Sequence, residues 1–331
     1  MTRMSYLEAS RQALEEEMRR DATVWALGED LGRGGVFGQY RGLAEIFGPE
    51  RISDAPISEA AILGVSVGAA MMGTRPVVEM RFSDFALCAM DELVNQAAKA
   101  RFMFGGQARV PIVVREPIGM WRSSAAQHSQ SLEAWYAHVP GLVVVCPATP
   151  ADNKGLLKSA IRCDDPVVYM EHKNLWGFEG EVPDDADFTV PLGKARLVRK
   201  GKDLTLVSWS NQVHVAARAA EILAREGIEA ELIDLRTIWP WDKRLICESV
   251  AKTRRLLVVH EAVSVGGFGA EIVATIAETF GGAVAVKRLG APRVPIGYAP
   301  PVEDAARVQE PAIAAAARRL VEGSAREGAP S

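Results

Sequence analysis

The sequence predicts an α/β protein made of two doubly wound parallel-sheet domains. Three observations carry that expectation. Its short β-rich runs are apolar almost throughout, as strands covered on both faces are. Helical periods alternate with those runs at the spacing of right-handed parallel crossovers. The 331 residues suffice for two domains of ordinary size.

The opening "MTRMSYLEASRQALEEEMRRD" reads as a charged amphipathic helix without the apolar stretch of a secretory signal. "TVWALGED" reads as a strand ending in a loop, and "RPVVEM", "RVPIVV", "GLVVVCP" and "DPVVYM" as buried strands. Helices are predicted over 59–72, 85–104 and 150–162, the last with Thr149 as N-cap and Pro150 as first helical position. Residues 172–193, "HKNLWGFEGEVPDDADFTVPLG", are rich in Gly, Pro and acids and read as a linker. The alternation then restarts: "DLTLVSWS" strand, "VHVAARAAEILAREG" helix, "IEAELIDLR" strand, "WDKRLICESVAKT" helix, "RRLLVVHE" strand, "GGFGAEIVATIAETFGG" helix. The closing "GSAREGAPS" reads as a frayed tail. The expected division is 1–185, 186–322 and a flexible tail over 323–331.

Composition narrows the function. A hydrophobic fraction of 48%, a charged fraction of 24% and a net charge of −4 describe a globular chain without the basic stripe of a nucleic-acid surface. No apolar run is long enough to span a membrane. Cys88, Cys146, Cys163 and Cys247 form no CxxC pair and read as ordinary reduced residues of a cytoplasmic enzyme.

Chemistry concentrates in a few places. "DAPISEAAILGVSVGAAMMG" carries Glu59 in an almost wholly small or apolar stretch. Ser58 can cap that helix, and a first-turn carboxylate suits its dipole. That alone would account for Glu59. Gly64 and Gly68, however, cost helix stability and call for close packing. Phe82 and Phe85 follow a predicted strand, at the carboxyl end where open α/β sheets bind ligands. His128 lies beyond the long loop "REPIGMWRSSAAQ", with Ser129 or Ser131 free to cap the next helix. A histidine there can exchange a proton near neutral pH. His138, His172, His214 and His260 lie in or beside regular elements and read as structural. The glycine-rich "GRGGVFGQYRG" and "VGGFGAEIVATI" miss the dinucleotide register, and no "GDG" precedes an "N" by some thirty residues. The chain therefore lacks the sequence expected for a magnesium–diphosphate clip.

Together "GEDLGRGGVF", "RISDAPISEAAILGVSVGAAMMGTRPVVEMRFSDF", "AQHSQSLEAWYAHVPGLVVVCPATPADNKGLLKSAIRCDDPVVYMEH" and "IDLRTIWPWD" closely resemble the β subunit of the first component of 2-oxo acid dehydrogenase complexes. The family includes pyruvate, branched-chain 2-oxo acid and acetoin enzymes, and the likeness runs along essentially the whole chain. It implies a transketolase-like architecture, a pyrimidine-binding domain followed by a transketolase C-terminal domain. The cofactor would be thiamine diphosphate, with Mg2+ held mainly by an α subunit in an α2β2 heterotetramer. The activity would be that of a 2-oxo acid dehydrogenase: decarboxylating a small-molecule 2-oxo acid, or cleaving acetoin, and passing the acyl group to a lipoylated acyltransferase. Nucleic acid and membrane would play no part.

Carried onto this sequence, Glu59 matches the glutamate that hydrogen-bonds the cofactor's pyrimidine nitrogen. A carboxyl withdrawn from water can share a proton with such a nitrogen. Phe85 matches the aromatic that packs on the pyrimidine, with Phe82 its neighbour. His128 matches the histidine that assists at the substrate and in acyl transfer. A potassium site is implied at Ile112, Ala160, Ile161, Cys163 and Asp165, with Cys163 standing where Asp is usual and Asp165 where Asn is usual. The loop departs from the commoner "RGPNG" and "RSPWG" forms, and Ile118, Met120 and Trp121 would shape a more apolar pocket. Two other readings compete: the small subunit of a split transketolase, which would need an aldose phosphate acceptor, and a non-catalytic assembly protein.

Overall fold

The computed structural model describes residues 1–327. Two sheets organise the chain. The first has seven strands, in the order Thr237–Trp239, Val143–Val145, Val167–His172, Val113–Ile118, Arg75–Glu79, Val24–Gly28 and Ile52–Asp54. All neighbours are parallel except the first pair, where Thr237–Trp239 runs antiparallel to Val143–Val145. The second has five, in the order Ala285–Ala291, Arg255–Val263, Leu204–Ser208, Ala230–Asp234 and Arg196–Arg199, the last antiparallel to its neighbour. Both sheets are therefore mixed at one edge, and the first borrows that edge strand from the second half of the chain.

Parallel strands need helices on both faces, and the apolar runs supply the contacts. Val113–Ile118 and Val167–His172 are buried at all six positions. They are not purely apolar, however: Arg115, Glu116, Glu171 and His172 are all buried within them. Arg115 Nη2 lies 2.6 Å from Glu171 Oε2 and its Nε 3.6 Å from Glu79 Oε2. A charge withdrawn from water persists only when paired in this way.

The helix Pro150–Arg162 has the predicted bounds, with Thr149 Oγ1 accepting from the Asp152 N–H at 3.2 Å and Pro150 in the first turn. It packs on the helix Tyr6–Arg20, where Glu16 meets both Lys154 Nζ (2.9 Å) and Lys158 Nζ (2.7 Å).

Four local expectations are corrected. Residues Thr2–Ser5 form a strand antiparallel to Glu179–Val182, so the first helix begins only at Tyr6. The predicted helix over 85–104 is broken into Ser83–Ala86, the 3-10 turn Leu87–Ala89, the π-helix Asp91–Ala97 and Ala98–Met103. The linker over 172–193 contains the end of a central strand, the 3-10 turn Lys173–Leu175 and the strand Glu179–Val182. The last helix, Glu310–Glu327, runs through the first residues assigned to the tail, and the remaining tail residues 328–331 lie outside the described residues. The expected 185/186 boundary falls between the strands Glu179–Val182 and Arg196–Arg199.

Replacing Thr149 with Ala should lower the unfolding free energy by about 1 kcal/mol, and Ser should restore most of it. Denaturant titration of the two variants reads the difference; an unchanged T149A midpoint would mean that the side-chain cap contributes nothing.

Candidate active site at the carboxyl edge of the first sheet

Four adjacent parallel strands deliver the candidate residues to one edge. Glu29 follows Val24–Gly28, Glu59 opens the helix after Ile52–Asp54, Phe82 and Phe85 follow Arg75–Glu79, and the loop bearing His128 follows Val113–Ile118. The carboxyl ends of parallel strands share one side of the sheet, which is where such folds bind ligands.

Glu59 is half-buried at the N-terminus of Glu59–Met71. Ser58 occupies the N-cap position, but its Oγ donates to Pro56 O at 2.9 Å and makes no cap bond. The Ser58 side-chain cap is therefore not made, and of the local explanations for Glu59 only its place in the first helical turn remains. Nothing in the residue pattern singles out its neighbour Glu29, which is only 9% exposed. Burial pushes the Glu29 carboxyl up; Arg81, 3.4 Å away, opposes that, and the charges of Glu59 and Asp30 add to it. Two carboxylates thus face each other electrostatically at this edge.

Phe82, Phe85 and His128 come together as one packed group. Ring centroids are 5.4 Å apart for Phe82–Phe85, 4.9 Å for Phe82–His128 and 5.1 Å for Phe85–His128, all edge-on. Gln130 Nε2 donates to Asp84 Oδ1 at 2.8 Å and ties the histidine loop to the Phe85 helix. Beneath that helix, Ser83 Oγ donates to Glu116 Oε2 at 2.9 Å, and burial pushes Glu116 up to about 8. Neither Ser129 nor Ser131 caps the next helix, Glu133–Ala137, whose N-cap is Leu132.

Of the three loop residues expected to shape a pocket, Ile118 and Met120 are buried in the core, Met120 against Ala291 and Ala306. Trp121 instead joins an aromatic group with Phe37 at 5.9 Å and Trp176 at 5.5 Å. Gly119 turns the loop at a φ of 92°, and a Cβ there would overlap the His172 imidazole. Among the other histidines, His260 is buried, donates from Nδ1 to Ala262 O at 3.0 Å and is pushed by burial down to about 4. His214 Nε2 donates to Ala148 O at 2.7 Å, and His138 is exposed.

Two of the main-chain carbonyls implied for potassium already face a cationic side chain. Arg75 Nη1 donates to Ile161 O at 3.1 Å and to Cys163 O at 2.9 Å, so a guanidinium already serves two of the five carbonyls. Ala160 O accepts from Cys163 N, Ile112 O from Val167 N, and the Asp165 carboxylate pairs with Arg101 at 2.6 Å. The fit to thiamine diphosphate is different. Glu59 offers a carboxylate at a helix terminus on the same sheet edge as the Phe82 and Phe85 rings, groups of the kind that suit a flat nitrogen heterocycle. The cations described at that edge are already engaged, Arg81 by Glu29 and Asp30 and Lys173 by the His128 carbonyl and the Phe82 ring.

This arrangement, with two mixed parallel sheets, is that of transketolase-type enzymes. A model described as the transketolase pyrimidine binding domain matches residues 2–177, and one described as the transketolase C-terminal domain matches 193–313. A solved split-gene transketolase, described as an inactive β4 tetramer, superposes with a TM-score of 0.79 at 22% identity, over 96% of this chain and 98% of that one. That likeness speaks to the fold alone. The 2-oxoisovalerate dehydrogenase subunit β of Bacillus subtilis is 45% identical over 327 residues, 97% of this chain and 100% of that one. The β subunit of acetoin:2,6-dichlorophenolindophenol oxidoreductase from Cupriavidus necator is 44% identical, over 97% of this chain and 98% of the relative. The mitochondrial pyruvate dehydrogenase E1 subunit β of Dictyostelium discoideum is 44% identical, over 95% and 90%. The chain belongs to the β subunits of the first components of 2-oxo acid dehydrogenases, a thiamine-diphosphate family. These relatives favour that reading over a split transketolase.

Replacing Glu59 with Gln removes a negative neighbour, so the titration midpoint of Glu29 should fall. Difference infrared spectroscopy of the carboxyl stretch reads it; an unmoved midpoint would mean that the two acids do not interact.

Proposed function

We propose that this chain supplies the pyrimidine half of the active centre of a thiamine-diphosphate-dependent 2-oxo acid dehydrogenase. In this reading residues 1–185 form the pyrimidine-binding domain and 186–322 the C-terminal domain. Glu59 would hydrogen-bond the pyrimidine ring nitrogen and share a proton with it, the carboxyl donating to the unprotonated nitrogen. Phe85 covers the ring. His128 acts at the substrate and in acyl transfer. When bound, thiamine diphosphate supplies the carbon nucleophile and the electron sink for decarboxylation. The single observation that carries the proposal is the delivery of Glu59, Phe85 and His128 to one sheet edge by three neighbouring crossovers.

The partner is an α subunit, in an α2β2 assembly, that holds the diphosphate and its Mg2+. Two features support it besides the relatives' designation as β subunits. The chain lacks the sequence expected for a diphosphate clip. In addition, the outer face of Glu59–Met71 is bare: a Cβ at Gly68 would meet nothing within 4 Å, and Val65 is 61% exposed. Beside it a groove of about 630 Å3 is lined by Gly64, Gly68, Met71, Met103 and Phe104. A face of that kind lets a second backbone approach closely. The acyl group would pass to a lipoylated acyltransferase in the cytoplasm. Among the described residues no helix is long and apolar enough to cross a membrane.

The assembled enzyme should oxidatively decarboxylate a 2-oxo acid, or cleave acetoin, in the presence of a lipoylated acceptor. E59Q should assemble normally and lose about 100-fold or more of turnover, the scale of a proton-transfer group. Retention of activity within a few-fold, or transfer of two-carbon units between sugar phosphates instead, would overturn the proposal.

A further inference from the structure

The segment His172–Lys173–Asn174 reaches the histidine loop directly at two points and at a third through Glu261. Asn174 N–H donates to His172 Nδ1 at 3.1 Å, which leaves the imidazole proton on Nε2. That nitrogen donates to Glu261 Oε1 at 2.9 Å, and the same oxygen accepts the Met120 N–H at 2.6 Å. Asn174 Nδ2 donates to Met120 O at 3.2 Å. Between these two residues Lys173 Nζ donates to the main-chain carbonyl of His128 itself.

Lys173 is only 2% exposed, an uncommon state for a lysine. Its ammonium lies 4.7 Å from the Phe82 ring centroid, and that ring packs at 4.9 Å against the His128 imidazole. One buried cation therefore holds both the backbone of His128 and the ring that flanks its side chain. The charged groups around it come from three other elements: Asp84 on the Phe85 helix, Glu261 on the strand Arg255–Val263, and Glu303 with Arg307 at the helix Pro300–Ala306. Arg307 is occupied by Glu303 at 2.8 Å.

We propose that Lys173 is a positioning residue for His128, setting the imidazole through its carbonyl and through the Phe82 ring. The inference rests on the role given to His128 above. Burial pulls Lys173 down to about 8, against the opposing pull of Asp84, Glu261 and Glu303. The ammonium is thus complete below that pH and lost above it. A neutral amine is the weaker donor and has no attraction for the ring face. His128 should consequently lose its placement as the pH rises past 8.

The test uses the enzyme assembled with its α partner and thiamine diphosphate, comparing wild type, K173R and K173Q. In wild type, kcat with a 2-oxo acid should show an alkaline limb near pH 8. K173R should displace that limb beyond about pH 10, where a guanidinium remains charged. K173Q should abolish the limb and lower kcat roughly 10- to 100-fold, the cost of a misplaced catalytic group. A second readout needs no turnover: 13C-histidine NMR, with His128 assigned by H128N. The His128 resonance should carry an inflection near pH 8 in wild type that K173Q removes. An unshifted limb in K173R, or an inflection that survives in K173Q, overturns the proposal. Wild type without oxo acid turnover would count against the proposed function, while the resonance would still report on Lys173.

Discussion

Parallel strand pairing is the constraint on which the site depends. Because Ile52–Asp54, Val24–Gly28, Arg75–Glu79 and Val113–Ile118 are consecutive parallel neighbours, whatever follows each of them emerges at the same edge. An acid pair, an aromatic pair and a histidine separated by about a hundred residues of sequence are delivered to that edge without any long-range motif to specify it. The sheet can do this only while it stays dry on both faces, and it stays dry although its central strands carry charge. Arg115 against Glu171 and Glu79 resolves that conflict within the sheet itself.

The second half of the chain does more than cover the first. It lends the edge strand Thr237–Trp239, and Trp209 Nε1 donates to Glu133 Oε1 at 3.1 Å across the junction, where burial pushes Glu133 up to about 7. Glu261 and Glu303 reach across to the main chain of the histidine loop at Met120 and Ser123. Burial alone would push Glu261 up, but His172, the Met120 N–H and Arg307 outweigh it and hold its carboxyl below the usual carboxylate range. A charged acceptor of that kind fixes a loop more firmly than a neutral one. The long loop is consequently ordered by groups contributed from the other half of the fold.

The architecture was legible from sequence where local rules and tertiary structure agree. Thr149 and Pro150 announce a helix start because capping chemistry is local. The strands were visible because burial on both faces selects apolar runs. Glu59, Phe85 and His128 were accessible through the family resemblance, and their meeting at one edge follows from topology that periodicity could imply but not measure. Other features were hidden for physical reasons. Arg115 and Glu171 look like strand interruptions until their pairing is seen. The π-helical turn over Asp91–Ala97 has no sequence period of its own. Lys173 was lost in a stretch that reads as a linker, since Gly, Pro and acids nearby mask a three-residue contact made through tertiary structure. The Arg75 guanidinium on the Ile161 and Cys163 carbonyls was equally invisible, because main-chain acceptors leave no trace in residue identity.

At the centre of this reading is a cofactor pocket divided between two chains. Calorimetric titration of thiamine diphosphate with Mg2+ into this chain alone, and then into its assembly with the α subunit, tests it most directly. Stoichiometric heat should appear only with the assembly, because the sequence expected for a diphosphate clip is missing from this chain. Tight one-to-one binding by the isolated chain would contradict a divided pocket.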